Sequence, residues 1–282
     1  MLEVIVDTLI DAIKMVPFLF ITYVIMEYIE HKTSEKNKNI IKKSGKLGPL
    51  IGGILGAFPQ CGFSVSATNL YAGRVITLGT LIAVYLSTSD EMLPIMISEA
   101  TNIGIILKII GIKVIIGIVI GFLIDIIYSR VKKEEDNKIV DLCEHEHCHC
   151  ETSIVKSALK HTINITIFII LISFIVNILI YFIGEDNLSN IILNKPILGP
   201  IIAGLIGLIP NCASSVILTK LYLTGTITVA TMISGLLVGA GVGLIVLFKV
   251  NKNLKENIKI VSMLYVIGVL SGIAMEFIGI SF

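Results

Sequence analysis

Six potential metal ligands stand within eight residues, in the run Cys143-Glu144-His145-Glu146-His147-Cys148-His149-Cys150. Cys143, His145, His147, Cys148, His149 and Cys150 offer thiolate and imidazole. Those groups suit zinc, copper, nickel and cobalt, and thiolates also take trivalent arsenic. A structural zinc finger separates its ligand pairs by a longer loop. This dense spacing instead fits a tract that captures ions and raises their local concentration, the plainer alternative being a solvated charged linker. A second chemistry lies at Pro59-Gln60-Cys61 and Pro210-Asn211-Cys212, where a carboxamide and a thiol follow a proline inside an apolar stretch. Proline has no N–H and clashes with the carbonyl four residues back, so each ends or kinks a helix. Backbone groups freed at membrane depth need a cavity, water or an ion. Ser64 and Ser215 follow the two breaks, and with Gln60, Cys61, Asn211 and Cys212 they are candidate substrate ligands. The alternative is a pair of kinks whose thiols act as small hydrophobes. Asp90 and Glu91, just before Pro94, add carboxylates to an otherwise apolar stretch, where charge is costly and usually functional. A solvated outer surface is the competing account of that pair. Lys220 is a candidate counter-charge to them.

These residues are positioned by a duplication. Residues 47–86 recur 151 positions later, with eighteen of forty residues identical and no gap. Leu47-Gly48-Pro49 returns as Leu198-Gly199-Pro200, and Ile76-Thr77 as Ile227-Thr228. The correspondence extends to Lys108, Gly117, Gly121 and Asp125, which match Lys259, Gly268, Gly272 and Glu276. Glycines four apart in an apolar helix let a neighbouring helix approach closely. The copies diverge at Ser87-Thr88-Ser89-Asp90-Glu91, which aligns with Val238-Gly239-Ala240-Gly241-Val242.

The chain is 55% hydrophobic and only 15% charged, with mean hydropathy +0.92, against roughly 25% charged residues in soluble chains. Apolar runs of spanning length, about 20 residues, fall at 14–29, 103–127, 155–183, 227–248 and 260–279. The first run follows Glu3, Asp7 and Asp11 instead of a basic segment, so it reads as a retained membrane helix and not a signal peptide. Basic residues concentrate in 32–46, 130–160 and 249–259, whereas 98–107 and 184–197 are poor in them. Basic loops tend to be cytoplasmic, so corresponding loops of the two copies fall on opposite sides. The expected fold is therefore an all-α polytopic membrane protein of two inverted repeats, each of about five transmembrane segments, with broken helices at Pro59 and Pro210. Residues 1–128 form the first repeat, 129–154 a cytoplasmic His/Cys-rich linker and 155–282 the second repeat. Both termini are expected outside. Residues 47–98 fit either three short crossings or one crossing with two half-helices.

With the Leu-Gly-Pro, Pro-Gln-Cys and Pro-Asn-Cys motifs and the His/Cys linker, the chain resembles the ArsP-like family of ten-helix heavy-metal exporters over its full length. Members carry labels of arsenic efflux protein or manganese transporter, so the resemblance implies export of a metal or metalloid. More distantly, the Pro-x-Cys breaks look like those of organoarsenical permeases. Those proteins carry a denser cysteine cluster, and one Cys per repeat does not supply a three-thiolate site here. Oxygen-rich Gln60, Asn211, Asp90 and Glu91 favour a manganese-type divalent cation over arsenite, whereas the thiols favour soft ions. No P-loop and no large soluble domain points to an ATPase, so proton exchange is the expected coupling. No nucleophile–base constellation marks an enzyme. There is no basic stripe for nucleic acid, and no tightly bound cofactor is expected beyond the transported ion. Membrane lipid is the other expected partner, and a homo-oligomer is left open. The main competing function is a membrane metal sensor or scaffold without transport, which would need no polar pathway.

Deleting residues 143–150 is expected to weaken transport at low ion concentration without abolishing it, read as cellular metal content across an external ion titration. Complete loss from a well-folded deletion would instead place the tract in the pathway.

Overall fold

A computed structural model describes residues 47–59, 61–89, 91–131, 154–183 and 197–280, together with helical positions between 10 and 24. The described residues are helical, with no strand among them. In chain order the helices are α1 (Gly48–Gly56), α2 (Cys61–Ala72), α3 (Leu78–Ser87), α4 (Met92–Ser98), α5 (Ile103–Val131) and α6 (Ile154–Ile183). They continue with α7 (Leu198–Gly207), α8 (Cys212–Leu223), α9 (Val229–Val238), α10 (Gly243–Val250) and α11 (Leu254–Ile278). The starts of α2, α3, α4 and α5 each lie 151 residues before those of α8, α9, α10 and α11. The duplication thus reaches the helix boundaries themselves.

Length decides how the first repeat runs. At 1.5 Å per residue, the nine residues of α1 and twelve of α2 reach about 14 and 18 Å, well short of a hydrocarbon core of about 30 Å. Gly48 lies against Thr80, Gly52 against Val84 and Gly56 against Ser87, so α1 and α3 run in the same direction. The intervening α2 must therefore bring the chain back, and α1–α2 forms a hairpin that ends where it began. Of the two arrangements open for 47–98, the contacts match a hairpin followed by α3 and α4, which together make a span of 21 residues, Leu78–Ser98. The second repeat does the same. Ser234 Oγ donates to the Pro200 carbonyl at 2.9 Å, and Gly207 meets Gly235 and Val238, which sets α7 alongside α9.

The long helix of each repeat packs antiparallel to this pair through its glycines. A Cβ at Gly121 would stand 2.7 Å from the Gly79 carbonyl oxygen, and one at Gly117 2.9 Å from that of Ala83. Gly268 and Gly272 approach Ser234, Val238 and Ala230 in the same way. With lipid outside, close backbone approach and van der Waals contact drive such pairing. A polar tie fixes the register. Thr77 caps α3 by accepting from Thr80 N–H, and its hydroxyl donates to Asp125 Oδ2 at 2.7 Å, while Gly79 N–H donates to Oδ1 at 2.9 Å. Thr228, the cap of α9, repeats the tie to Glu276 Oε2 at 2.8 Å.

The outer faces are apolar. Ile115, Val119, Leu123 and Ile126 on α5, Val155, Leu159, Ile163 and Ile167 on α6, and Val266 and Leu270 on α11 are exposed. A continuous exposed apolar surface of this kind belongs against lipid. Four spans among the described residues are long and apolar enough to cross a membrane: Leu78–Ser98, Ile103–Tyr128, Val229–Val250 and Leu254–Ile278.

The repeats also hold each other. α2 packs on α10, and α8 packs on α4. At one end, Arg74 pairs with Glu256 through both nitrogens, at 2.9 and 3.1 Å, and Tyr71 donates to the same carboxylate. Arg74 carries φ 59°, where its counterpart Gly225 carries φ 72°. A left-handed turn is free for glycine and costs a side-chain-bearing residue about 1 kcal/mol or more. The first repeat accepts that strain and gains a bidentate tie to the second.

Replacing Gly121 or Gly272 with Leu is expected to break the packing of the long helices, at about 1–3 kcal/mol or more. Thermal unfolding of the purified protein in detergent should show a lowered midpoint for each; an unchanged midpoint would contradict the glycine contacts.

Candidate functional site

Polar chemistry concentrates where helices stop. α3 ends at Ser87 and α4 begins at Met92, while α9 ends at Val238 and α10 begins at Gly243. A helix end leaves carbonyls without intrahelical partners, and at membrane depth water is not there to satisfy them. Each gap meets this need differently.

In the second repeat, hydroxyls from the first reach the start of α10. The Gly243 carbonyl accepts from Tyr85 OH at 3.2 Å and from Thr68 Oγ1 at 3.3 Å. Those two hydroxyls lie 2.5 Å apart, and the Ser64 carbonyl, 2.7 Å from Thr68 Oγ1, competes with Gly243 for the Thr68 proton. Gly243 comes so close to Ser64 that a Cβ there would stand 3.1 Å from its Oγ. In the first repeat the gap is held by a charge. Lys113, on α5 and fully buried, donates from Nζ to the Thr88 carbonyl. The corresponding residue of the second repeat is Leu264, also fully buried.

Between the two gaps lies a small cavity lined by Thr88 and Ser89 from the first repeat and by Ser214, Ser215, Gly235, Leu236, Gly239 and Gly241 from the second. Its volume of about 10 Å³ is close to what one water needs, the scale of one dehydrated ion. The hydroxyl protons are already committed. Thr88 donates to the Val84 carbonyl at 2.7 Å, Ser89 to Ser87 at 3.2 Å, Ser214 to Asn211 at 2.9 Å and Ser215 to Cys212 at 2.7 Å. A hydroxyl has one proton and two lone pairs. What these four groups have left to offer is acceptor oxygen, the ligand type of hard cations.

Of the residues expected from the sequence, Ser215 lines the cavity. Asn211 caps α8, its side chain accepting from Ala213 N–H at 3.4 Å. Cys212 is buried at the start of α8, in an apolar cluster with Leu19, Tyr23, Val65, Ile165 and Val246. Ser64 is fully buried beneath Gly243. Cys61 opens α2 and Glu91 precedes α4. Gln60, Asp90 and the whole Cys143–Cys150 tract lie outside the described residues, so the expected ligand cluster of the linker does too. Lys220 is exposed in the last turn of α8; the lysine at the first gap is Lys113. Sequence reasoning passed over Lys113 and Tyr85, and did not connect Thr88 and Ser89 with Ser214 across the repeats. A signal for Lys113 was present, since a lysine inside an apolar spanning run is costly unless paired.

The apolar spans, lipid-type surface and buried polar gaps define a multi-pass membrane protein with a buried polar site. A family model described as "Putative, 10TM heavy-metal exporter" matches residues 1–182 and 131–245, and the chain belongs to that ArsP-like family of membrane metal transporters. No curated protein and no solved structure gives a match.

Replacing both Thr68 and Tyr85, with Val and Phe, is expected to remove the hydroxyl bonds to the Gly243 carbonyl, which keeps its intrahelical bond in α10, at about 0.5–1.5 kcal/mol. Each single variant should lose clearly less than half of that, because the other hydroxyl still donates. A double-mutant cycle on thermal stability checks this non-additivity, and additive losses would contradict the shared bond.

Proposed function

We propose that the chain exports a manganese-type divalent cation through the cavity between the two gaps. The observation that carries this reading is the commitment of all four lining hydroxyls to backbone carbonyls, which leaves acceptor oxygens toward the space. A soft metalloid needs thiolates, and none of the residues lining the cavity carries one. Asp90 and Glu91 follow Ser89 directly in the sequence, and in this reading they complete the oxygen shell and carry protons in exchange. Gln60 and Asn211 belong to the same shell in this reading, and Ser64 supports it from the opposite side.

The two copies act as inverted repeats, each with an α-helical hairpin bent at Pro59 or Pro210 and a spanning helix interrupted at mid-depth. Support comes from the matched helix boundaries and from the crossed packing of α2 on α10 and α8 on α4. Sites at the interface of such repeats let one half rock against the other around a fixed ligand position. The basic loops orient the linker 129–154 to the cytoplasm and both termini outside, so Cys143, His145, His147, Cys148, His149 and Cys150 gather ions on the side from which they leave. Cys212, in its apolar cluster, serves packing before coordination.

Cells expressing Thr88→Val/Ser215→Ala are expected to lose at least tenfold of their manganese efflux, measured as internal manganese after an external load. Cells expressing Cys61→Ser/Cys212→Ser should keep it. Efflux of arsenite or zinc that disappears with the two thiols, and manganese handling indifferent to the hydroxyls, would move the site to the Pro-x-Cys pair.

A further inference from the structure

Lys113 is buried at 0% exposure, its Nζ donating to a carbonyl at the end of a broken membrane helix. The second repeat fills the same position with Leu264, also fully buried. The location itself is chemical. The C-terminal end of α3 carries orphan carbonyls and the negative end of the helix dipole, and Thr88, whose carbonyl accepts from Lys113, is also one wall of the cavity. A helix end of this kind is where a transporter coordinates a cation. Here an ammonium on a four-carbon tether already occupies one of its carbonyls.

We infer that Lys113 is a tethered surrogate cation, which neutralises the end of α3 when the cavity is empty and gives way when a metal ion enters. This rests on the cation-transport reading above. A divalent ion and an ammonium sharing the Thr88 carbonyl would repel strongly at low local dielectric. Occupancy is therefore exclusive, with metal bound and lysine withdrawn, or lysine bound and metal gone. The consequence concerns the return half of the cycle. A carrier that exposes uncompensated carbonyls and carboxylates at membrane depth pays heavily to reorient empty. With the lysine in place the empty site is neutralised, and the carrier can return without cargo. The same charge also weakens metal binding, which assists release. Only one surrogate is needed, because the two gaps share one cavity. That accounts for a charge in the first repeat and a leucine in the second.

The test separates exchange from net flux. In Lys113→Gln the amide keeps a donor for the Thr88 carbonyl and loses the charge, whereas Lys113→Arg keeps the charge. Purified full-length protein is assayed for manganese binding, and in liposomes for net manganese flux and for exchange of radiolabelled manganese with manganese on both sides. Lys113→Gln is expected to bind manganese at least tenfold more tightly and to retain exchange, while net flux falls at least tenfold. Lys113→Arg should retain net flux. Loss of exchange and net flux together, or no change in either, in Lys113→Gln of wild-type thermal stability overturns the inference. If Lys113→Gln proves unstable, Lys113→Arg decides: net flux lost with exchange kept counts against a role for charge alone and overturns it. Wild-type protein that neither binds nor exchanges manganese or zinc removes the transport reading itself, and the surrogate role with it.

Discussion

A backbone carbonyl at the end of a helix in lipid has no water to turn to, and most of this molecule is arranged around that constraint. Each repeat interrupts a spanning helix near its middle, at 88–91 and at 239–242. Each interruption exposes polar backbone where exposure is most costly. The first repeat reaches both with side chains and answers an orphan carbonyl at its own, since the Gly243 carbonyl keeps its intrahelical bond. Its Tyr85 and Thr68 reach across to Gly243 of the second repeat, and its Lys113 reaches Thr88 of its own chain segment. The cavity exists because these answers leave a space between them. Its lining hydroxyls are acceptors because their protons are already spent on nearby carbonyls.

The remainder of the fold serves to keep those ends in register. Glycines on α5 and α11 bring the long helices within backbone contact of α3 and α9. The Thr77–Asp125 and Thr228–Glu276 ties stop them from sliding. The cross-packing of α2 on α10 and α8 on α4 makes the two copies one body, and the Arg74–Glu256 pair fastens one end of it. The two copies are therefore alike in scaffold and unlike in the charge they bring to the centre.

Much of the scaffold was legible in the residues. The 151-residue offset, the glycine spacing and the Asp125–Glu276 correspondence are local identities that survive into helix boundaries and contacts. Length alone was ambiguous for 47–98, because fifty-two apolar residues fit three crossings as well as a hairpin and a span. The helix ends resolved it, because α1 and α2, at nine and twelve residues, are too short to cross.

The site was less legible, for a physical reason. Pattern reading finds residues that are unusual in their own neighbourhood, such as the prolines, Asp90 and the cysteine tract. A cavity is made by ordinary residues that become neighbours only in three dimensions, as Thr88 and Ser89 do with Ser214 and Ser215. Serine and threonine are commonplace in membrane helices, and whether each presents a proton or a lone pair depends on a carbonyl one turn away. Lysine 113 was visible as a charge in an apolar run, but which carbonyl it satisfies is set by how α5 crosses the end of α3. The sequence by itself determined the membrane class, the duplication and the family. Tertiary structure decided which polar groups face one another and which of their lone pairs remain to be used, because hydrogen-bond commitment is a property of neighbours and not of residue type.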